Sequence, residues 1–299
     1  MRKTWVALLF LVIFTLGISA PVMAKEAGAE ESPKEGILLV AFGTSIPAAQ
    51  RVYEKINRKV KAAFPGVPVC WAYTSRIIRH KLAREGKQLD SPEMALAKMM
   101  DVGFKSVAVQ SLHTIPGEEY HDLYRNAKRF ARMAGGLYRV RIGDPLLAKN
   151  EDLIRVTEAI IRHLPKQRKK NEAVVLMGHG TEHAANAFYP AMAYYLQRRD
   201  PNIFVGTVEG APTIKDIKAA LLAKKIKKVY LMPFMSVAGD HARNDMAGDE
   251  KDSWKSILTL AGITCVPILK GMASYDDIAD IWVDHLKTIY TQKYHKDKR

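Results

Sequence analysis

Three side chains in the second half of the chain form a donor set. His179 follows the apolar run Ala173–Met177 and is flanked by Gly178 and Gly180. Glu209 ends the run Ile203-Phe-Val-Gly-Thr-Val-Glu209, just before Gly210, and His241 closes Met232-Pro-Phe-Met-Ser-Val-Ala-Gly-Asp-His241. A neutral imidazole binds a metal or accepts a proton. Two imidazoles and a carboxylate suit a divalent first-row metal that keeps open coordination positions. A hydrolytic zinc site with Glu209 as base is the other chemistry these residues could perform. No HExxH is present, so the donors would have to meet from three separate loops. A serine hydrolase is excluded by the absence of GxSxG, and a dinucleotide fold by the absence of GxGxxG.

The elements that position these donors occur twice. Gly36-Ile-Leu-Leu-Val-Ala-Phe-Gly-Thr-Ser45 corresponds to Glu172-Ala-Val-Val-Leu-Met-Gly-His-Gly-Thr181, with Phe42-Gly-Thr44 matched to His179-Gly-Thr181, which sets Phe42 against His179. Lys105-Ser-Val-Ala-Val-Gln-Ser-Leu-His-Thr-Ile-Pro-Gly117 aligns with Lys227-Lys-Val-Tyr-Leu-Met-Pro-Phe-Met-Ser-Val-Ala-Gly239, with Glu119 and His241 two residues past each final glycine. Only the second copy carries the pair of histidines at the His179 and His241 positions, where the first has Phe42 and Glu119, so the reactive site should be asymmetric.

Short apolar runs read as buried parallel strands. They fall at Ile37–Phe42, Pro68–Tyr73, Ser106–Gln110 and Gly136–Ile142, then at Ala173–Met177, Ile203–Val208, Lys228–Met232 and Thr264–Ile268. Helical spacing links them. Val52, Ile56, Val60 and Phe64 give Ile46–Phe64 one apolar face. Ser91-Pro-Glu-Met opens a helix with a capping serine and proline in the first turn. Gly117–Met133, Asn150–Leu164, Ala184–Arg199, Thr213–Ala223 and Lys251–Ala261 follow, with a capping-box pattern at Thr213-Ile-Lys-Asp216. A last helix, Ser274–Tyr290, is expected to be capped by Ser274. Strand–helix alternation predicts two similar α/β domains, each a parallel sheet flanked by helices, arising from an internal duplication. The first spans 36–149 and the second 150–299, with the C-terminal helix a candidate to pack back on the first. Ligands of such sheets bind beyond the carboxyl ends of the strands, which is where the donor set lies.

Residues 1–24 read as a signal peptide: Arg2 and Lys3, then an apolar stretch from Trp5 to Ala20, then Val22-Met-Ala24 before Lys25. The apolar stretch is short for a membrane span, and nothing later is apolar enough for one, so the mature chain is expected in the periplasm without a stable span. Residues 25–35 are polar and read as a flexible lead-in. Cleavage removes Arg2 and Lys3 and no acid, taking the net charge from +15 to +13. Such a field favours a small polyanion; nucleic acid does not fit an exported chain without a long basic block. Cys70 and Cys265, the only two cysteines, are expected as separate buried thiols.

These motifs resemble the anaerobic cobalt chelatases, the sirohydrochlorin cobaltochelatases of the class II chelatase superfamily. The resemblance runs from Gly36 to about Tyr290 and rests on Leu38-Leu-Val-Ala-Phe-Gly-Thr-Ser45, Gln110-Ser-Leu-His-Thr-Ile-Pro-Gly-Glu-Glu-Tyr120, Met177-Gly-His-Gly-Thr181, Val208-Glu-Gly210 and Met232–His241 together. It implies ATP-independent insertion of Co2+ or Fe2+, as substrate, into a tetrapyrrole polycarboxylate such as sirohydrochlorin. It needs no cofactor, and it puts the metal-handling roles on His179, His241 and Glu209. Gly43, Thr44, Ser45, Leu112, His113, Met235, Ser236 and Val237 lie in loops at the same expected edge and are candidate substrate-binding residues. The export signal departs from the cytoplasmic setting of corrinoid synthesis. The first half has its own donors, His113, Glu118, Glu119 and His121; His121 is a candidate ligand for a second metal or a haem. A non-catalytic periplasmic carrier of metal or tetrapyrrole is the alternative, and a homo-oligomer is compatible with either reading.

Overall fold

The computed structural model describes residues 34–292, so the signal-peptide expectation and most of the lead-in lie outside the described residues. The first strand, β1 (Glu35–Ala41), starts at the last residue of the expected lead-in. It sits at the centre of a parallel sheet with β2 (Val69–Tyr73), β3 (Ser106–Ser111) and β4 (Arg139–Gly143), in the order β2-β1-β3-β4. A second parallel sheet repeats that order as β6-β5-β7-β8, from β5 (Ala173–Gly180), β6 (Ile203–Glu209), β7 (Lys228–Pro233) and β8 (Thr264–Pro267). The expected duplication is thus present as repeated topology. It extends to the backbone: the aligned Gly43 and Gly180 both adopt left-handed φ, +106° and +84°.

Helices cover both faces of each sheet. In α1 (Pro47–Ala63), Ala49, Tyr53, Ile56 and Val60 are buried, with Tyr53 rather than Val52 completing the stripe. Ser91 caps α3 (Pro92–Asp101), its hydroxyl accepting from Met94 N at 3.2 Å. The Thr213–Asp216 capping box opens α7 (Ile214–Ala223), with Asp216 accepting from Thr213 N at 2.7 Å. The helices α4 (Glu118–Phe130), α5 (Asn150–Arg162) and α6 (Phe188–Gln197) follow the expected order, α6 after a short 3-10 turn at Ala184–Ala187. Among the helices, two starts and one whole element depart most from expectation. The helix expected at Lys251 starts later, as α8 (Trp254–Leu260), because Ser253 takes the capping role and accepts from Ser256 N. Ser274 lies in a 3-10 turn, and α9 (Asp276–Thr291) follows Tyr275 without a side-chain cap. A helix absent from the sequence reading, α2 (Arg76–Arg84), is capped by Ser75.

The halves share one apolar core. Ile37 and Leu39 of β1 belong to the same buried cluster as Val174 and Leu176 of β5, and the two halves lie in a single compact unit. Helix α9, at the end of the second half, runs against β3, β4, α1 and α5. Trp282 at its centre is wholly buried and donates from Nε1 to His113 O at 3.3 Å. His285, 8% exposed, places Nε2 2.9 Å from Asp152 of α5 and Nδ1 3.2 Å from Asp144 O. Asp152 also accepts from the backbone N–H of Ala148 and Lys149. Through these contacts the last helix holds the first half's loops in place. Cys70 and Cys265 are free but half-buried rather than fully buried, and burial raises both thiol pKa values.

Candidate functional site

A cavity of about 470 Å³ opens between the carboxyl edges of the two sheets. Parallel strands end there with their side chains free of the next element, so the donors concentrate at this edge.

One wall carries His179, Glu209 and His241. The β5–β6 register pairs Gly180 with Glu209, which brings the Glu209 carboxylate 3.9 Å from His179 Nδ1. His241 reaches the same place from the β7 loop; its ring meets that of His179 edge-on, 4.6 Å between centroids. The flanking glycines have steric reasons. A Cβ on Gly178 would strike the ring of Tyr189, and one on Gly180 would overlap the Glu209 carbonyl oxygen. Thus Gly180 permits both the left-handed turn and the close approach of the Glu209 strand.

Each imidazole is held through Nδ1. His179 Nδ1 lies 3.1 Å from Gly180 O, an acceptor, so Nδ1 donates and Nε2 keeps its lone pair. His241 Nδ1 is hydrogen-bonded to the carboxylate of Asp245, one turn further along a π-helical segment, Ala242–Met246. That contact likewise leaves the Nε2 lone pair free, and a carboxylate behind a histidine fixes the orientation of the ring. Among the described residues no three of His, Cys, Asp and Glu form a closed metal-sized group; the donors meet in pairs.

The opposite wall comes from the first half. Phe42 faces its aligned partner His179, 6.1 Å between centroids. Beyond it His113 Nε2 lies 3.1 Å from Glu119 Oε2, and the Thr74 hydroxyl donates to the same oxygen at 2.8 Å. Ser111 Oγ is 2.8 Å from His113 Nδ1. Burial by itself would raise the Glu119 pKa, but hydrogen bonds from His113 and Thr74 and the charges of His113 and His179 outweigh it and hold the carboxyl below its ordinary value.

Of the candidate substrate-binding residues, Gly43, Thr44, His113, Met235, Ser236 and Val237 line the cavity. Two do not. Leu112 is a core residue, 1% exposed, whose N–H donates to Val40 O. Ser45 turns to Asp240 at 3.5 Å, a contact between the halves. His121 also lies outside the lining; its ring sits 5.1 Å from that of His183, whose Nδ1 accepts from Ala185 N. Asp245, whose signal is its i, i+4 spacing from His241, and the lining residues Ile77, Ile78 and Tyr189 were not among the expected site residues.

Two parallel-sheet halves of one topology, closing on a cleft with a donor wall in the second half, define a chelatase-type fold. Solved structures sharing it include SirB from Bacillus subtilis with Fe3+ (TM-score 0.57, 17% identity, covering 86% of this chain and 96% of that one) and CbiX, the terminal enzyme of siroheme biosynthesis in denitrifying bacteria (TM-score 0.56, 18% identity, 85% and 98%). At those identities the likeness is one of fold. The chain belongs to the cobalt chelatase (CbiK) family, whose sequence model matches residues 35–291. It is 45% identical over 253 residues to sirohydrochlorin cobaltochelatase CbiKC of Nitratidesulfovibrio vulgaris, spanning 85% of this chain and 89% of that protein. It is 36% identical over 255 residues to the sirohydrochlorin cobaltochelatase of Salmonella typhimurium, spanning 85% and 95%.

Proposed function

We infer that this chain inserts a divalent metal, Co2+ or Fe2+, into sirohydrochlorin without ATP. The observation that carries the reading is the pair of facing walls: His179, His241 and Glu209 on one side, His113 and Glu119 on the other. The names borne by the relatives from Nitratidesulfovibrio vulgaris and Salmonella typhimurium support the same substrate.

Insertion exchanges two pyrrole N–H protons for one divalent cation. The Nε2 lone pairs of His179 and His241, with Glu209 beside them, take the incoming metal, and pairwise donors leave it positions through which to pass on to the macrocycle. The departing protons need acceptors that are ionised at working pH. Glu119, held below its ordinary pKa, is one on the opposite wall, with His113 able to relay a proton onward. Every step is a ligand exchange or a proton transfer, so no redox partner enters. The pattern Arg2–Ala24 supports export, with the reaction taking place in the periplasm.

The test is anaerobic mixing of the mature chain with sirohydrochlorin and Co2+, followed by tetrapyrrole absorption, for wild type and His241→Ala. Turnover above the uncatalysed rate that is lost in the variant supports the reading. A spectral shift saturating at one equivalent would replace it with a carrier. Fractionation of cells expressing the full chain tests export: recovery of the intact precursor in the cytoplasm would refute it.

A further inference from the structure

The cavity lining contains four carboxylates, Glu118, Glu119, Glu209 and Asp240, and neither lysine nor arginine. An acidic lining suits an incoming cation and repels the carboxylates of a polyanionic macrocycle. The positive field expected from the net charge therefore has to act on the substrate from outside the cavity.

At its lip lies α2, Arg76-Ile-Ile-Arg-His-Lys-Leu-Ala-Arg84, which has no acidic residue. Ser75, Ile77 and Ile78, at its amino-terminal end, line the cavity. Ile78 and Leu82 bury the inner face, while Ile77 is 79% exposed where it meets the cavity. With 3.6 residues per turn, Ile77, Lys81 and Arg84 fall on one stripe within about 60° of arc. Helical side chains lean toward the amino terminus, here the cavity end, so Lys81 covers the surface next to Ile77. Lys81 and Arg84 are exposed, and among the described residues neither has a carboxylate within ion-pair distance. By contrast Lys55, Lys59, Arg155 and Arg162 pair with acids of α9. An apolar contact backed by unpaired cations is complementary to a flat apolar ring with carboxylates on its perimeter.

We propose that the exposed stripe Ile77–Lys81–Arg84 of α2 is the substrate-orienting rim: Ile77 packs on the macrocycle, and Lys81 and Arg84 bind peripheral carboxylates that the acidic cavity rejects. The proposal rests on the sirohydrochlorin reading and deepens it. It fixes the side of the cleft on which perimeter carboxylates are held, and it separates the two charge requirements, anion at the rim and cation within.

Binding is read without metal, from quenching of the intrinsic tryptophan fluorescence of the full chain by sirohydrochlorin, at low and high salt. The double variant Lys81→Glu/Arg84→Glu is expected to bind about tenfold more weakly, with a flatter salt dependence, and Lys81→Gln/Arg84→Gln to fall between it and wild type. The control, Lys166→Glu/Lys170→Glu, makes the same charge change on exposed residues leading to the start of β5, the sheet edge away from the cavity, and should stay within about twofold of wild type. Equal weakening in both doubles, or none in either, overturns the rim. Failure of wild type to bind sirohydrochlorin overturns the functional reading, and the rim with it.

Discussion

Asp245 gives the sharpest test of how the donor wall works. It touches His241 through Nδ1 and stands one helical turn away, outside the cavity lining. Replacing it with asparagine keeps the shape and an acceptor oxygen but removes the charge. A carboxylate behind a ligating histidine is worth about 10–100-fold in metal affinity or activity, equal to about 1.4–2.8 kcal/mol. The pair is only half-buried, with side-chain exposures of 36% and 43%, so solvent screens the charge and the lower end applies. Asp245→Asn should therefore lower kcat/KM for Co2+ about tenfold. Asp245→Ala, which frees the ring to turn, should lower it about a hundredfold. The assay is anaerobic metallation of sirohydrochlorin at varied Co2+, with Co2+ binding measured separately by calorimetry. Urea unfolding should move little for either variant, because the residue is near the surface. If both variants keep kcat/KM within twofold of wild type, the idea that Asp245 sets the basic nitrogen of His241 is wrong.

Other outcomes follow from the same geometry. Gly180→Ala should cost more than about 3 kcal/mol and abolish metallation, since a Cβ there meets the Glu209 carbonyl in a left-handed turn; a near-native urea midpoint would contradict this. Glu119→Gln removes the ionised acceptor facing the donor wall and should lower kcat about a hundredfold while leaving Co2+ affinity near wild type, as stopped-flow absorbance and calorimetry would register. Asp152→Ala removes the buried carboxylate that partners His285 and caps α5, and should cost about 2–5 kcal/mol at pH 7. Burial alone would raise the Asp152 pKa, but His285 and the Lys149 and Ala148 N–H groups hold it below its ordinary value. Its contribution is therefore present above the unfolded carboxyl pKa, about 3.9, and lost as pH falls through the lower folded value. The difference between variant and wild type in urea unfolding should shrink toward pH 2, and a constant difference would refute the linkage.

Much of the site was legible because parallel α/β architecture puts function at strand ends. His179, Glu209 and His241 each follow a short apolar run, and chain order alone implies one shared edge. Leu112 shows the limit of that rule: one residue past β3 it still points into the core, because where a strand ends does not tell which way the next side chain faces. Asp245 escaped notice because an i, i+4 spacing from His241 does not by itself tell a paired carboxylate from a solvated one. Helix α2 escaped because its stripe of apolar residues is only Ile78 and Leu82, too short a period to stand out.

The amino-acid sequence by itself determined the duplication, the strand–helix order, the donor set and its family, since each depends on residue type and local period. The tertiary structure alone decided which surfaces meet. Phe42 faces His179, Glu119 faces the donor wall, and the last helix crosses to pin His113 through Trp282 and Asp152 through His285. The Phe42–His179, His113–Trp282 and Asp152–His285 contacts join residues more than a hundred positions apart. They arise because two half-sheets, each unable to bury its inner face alone, close on a single core and carry their strand ends together.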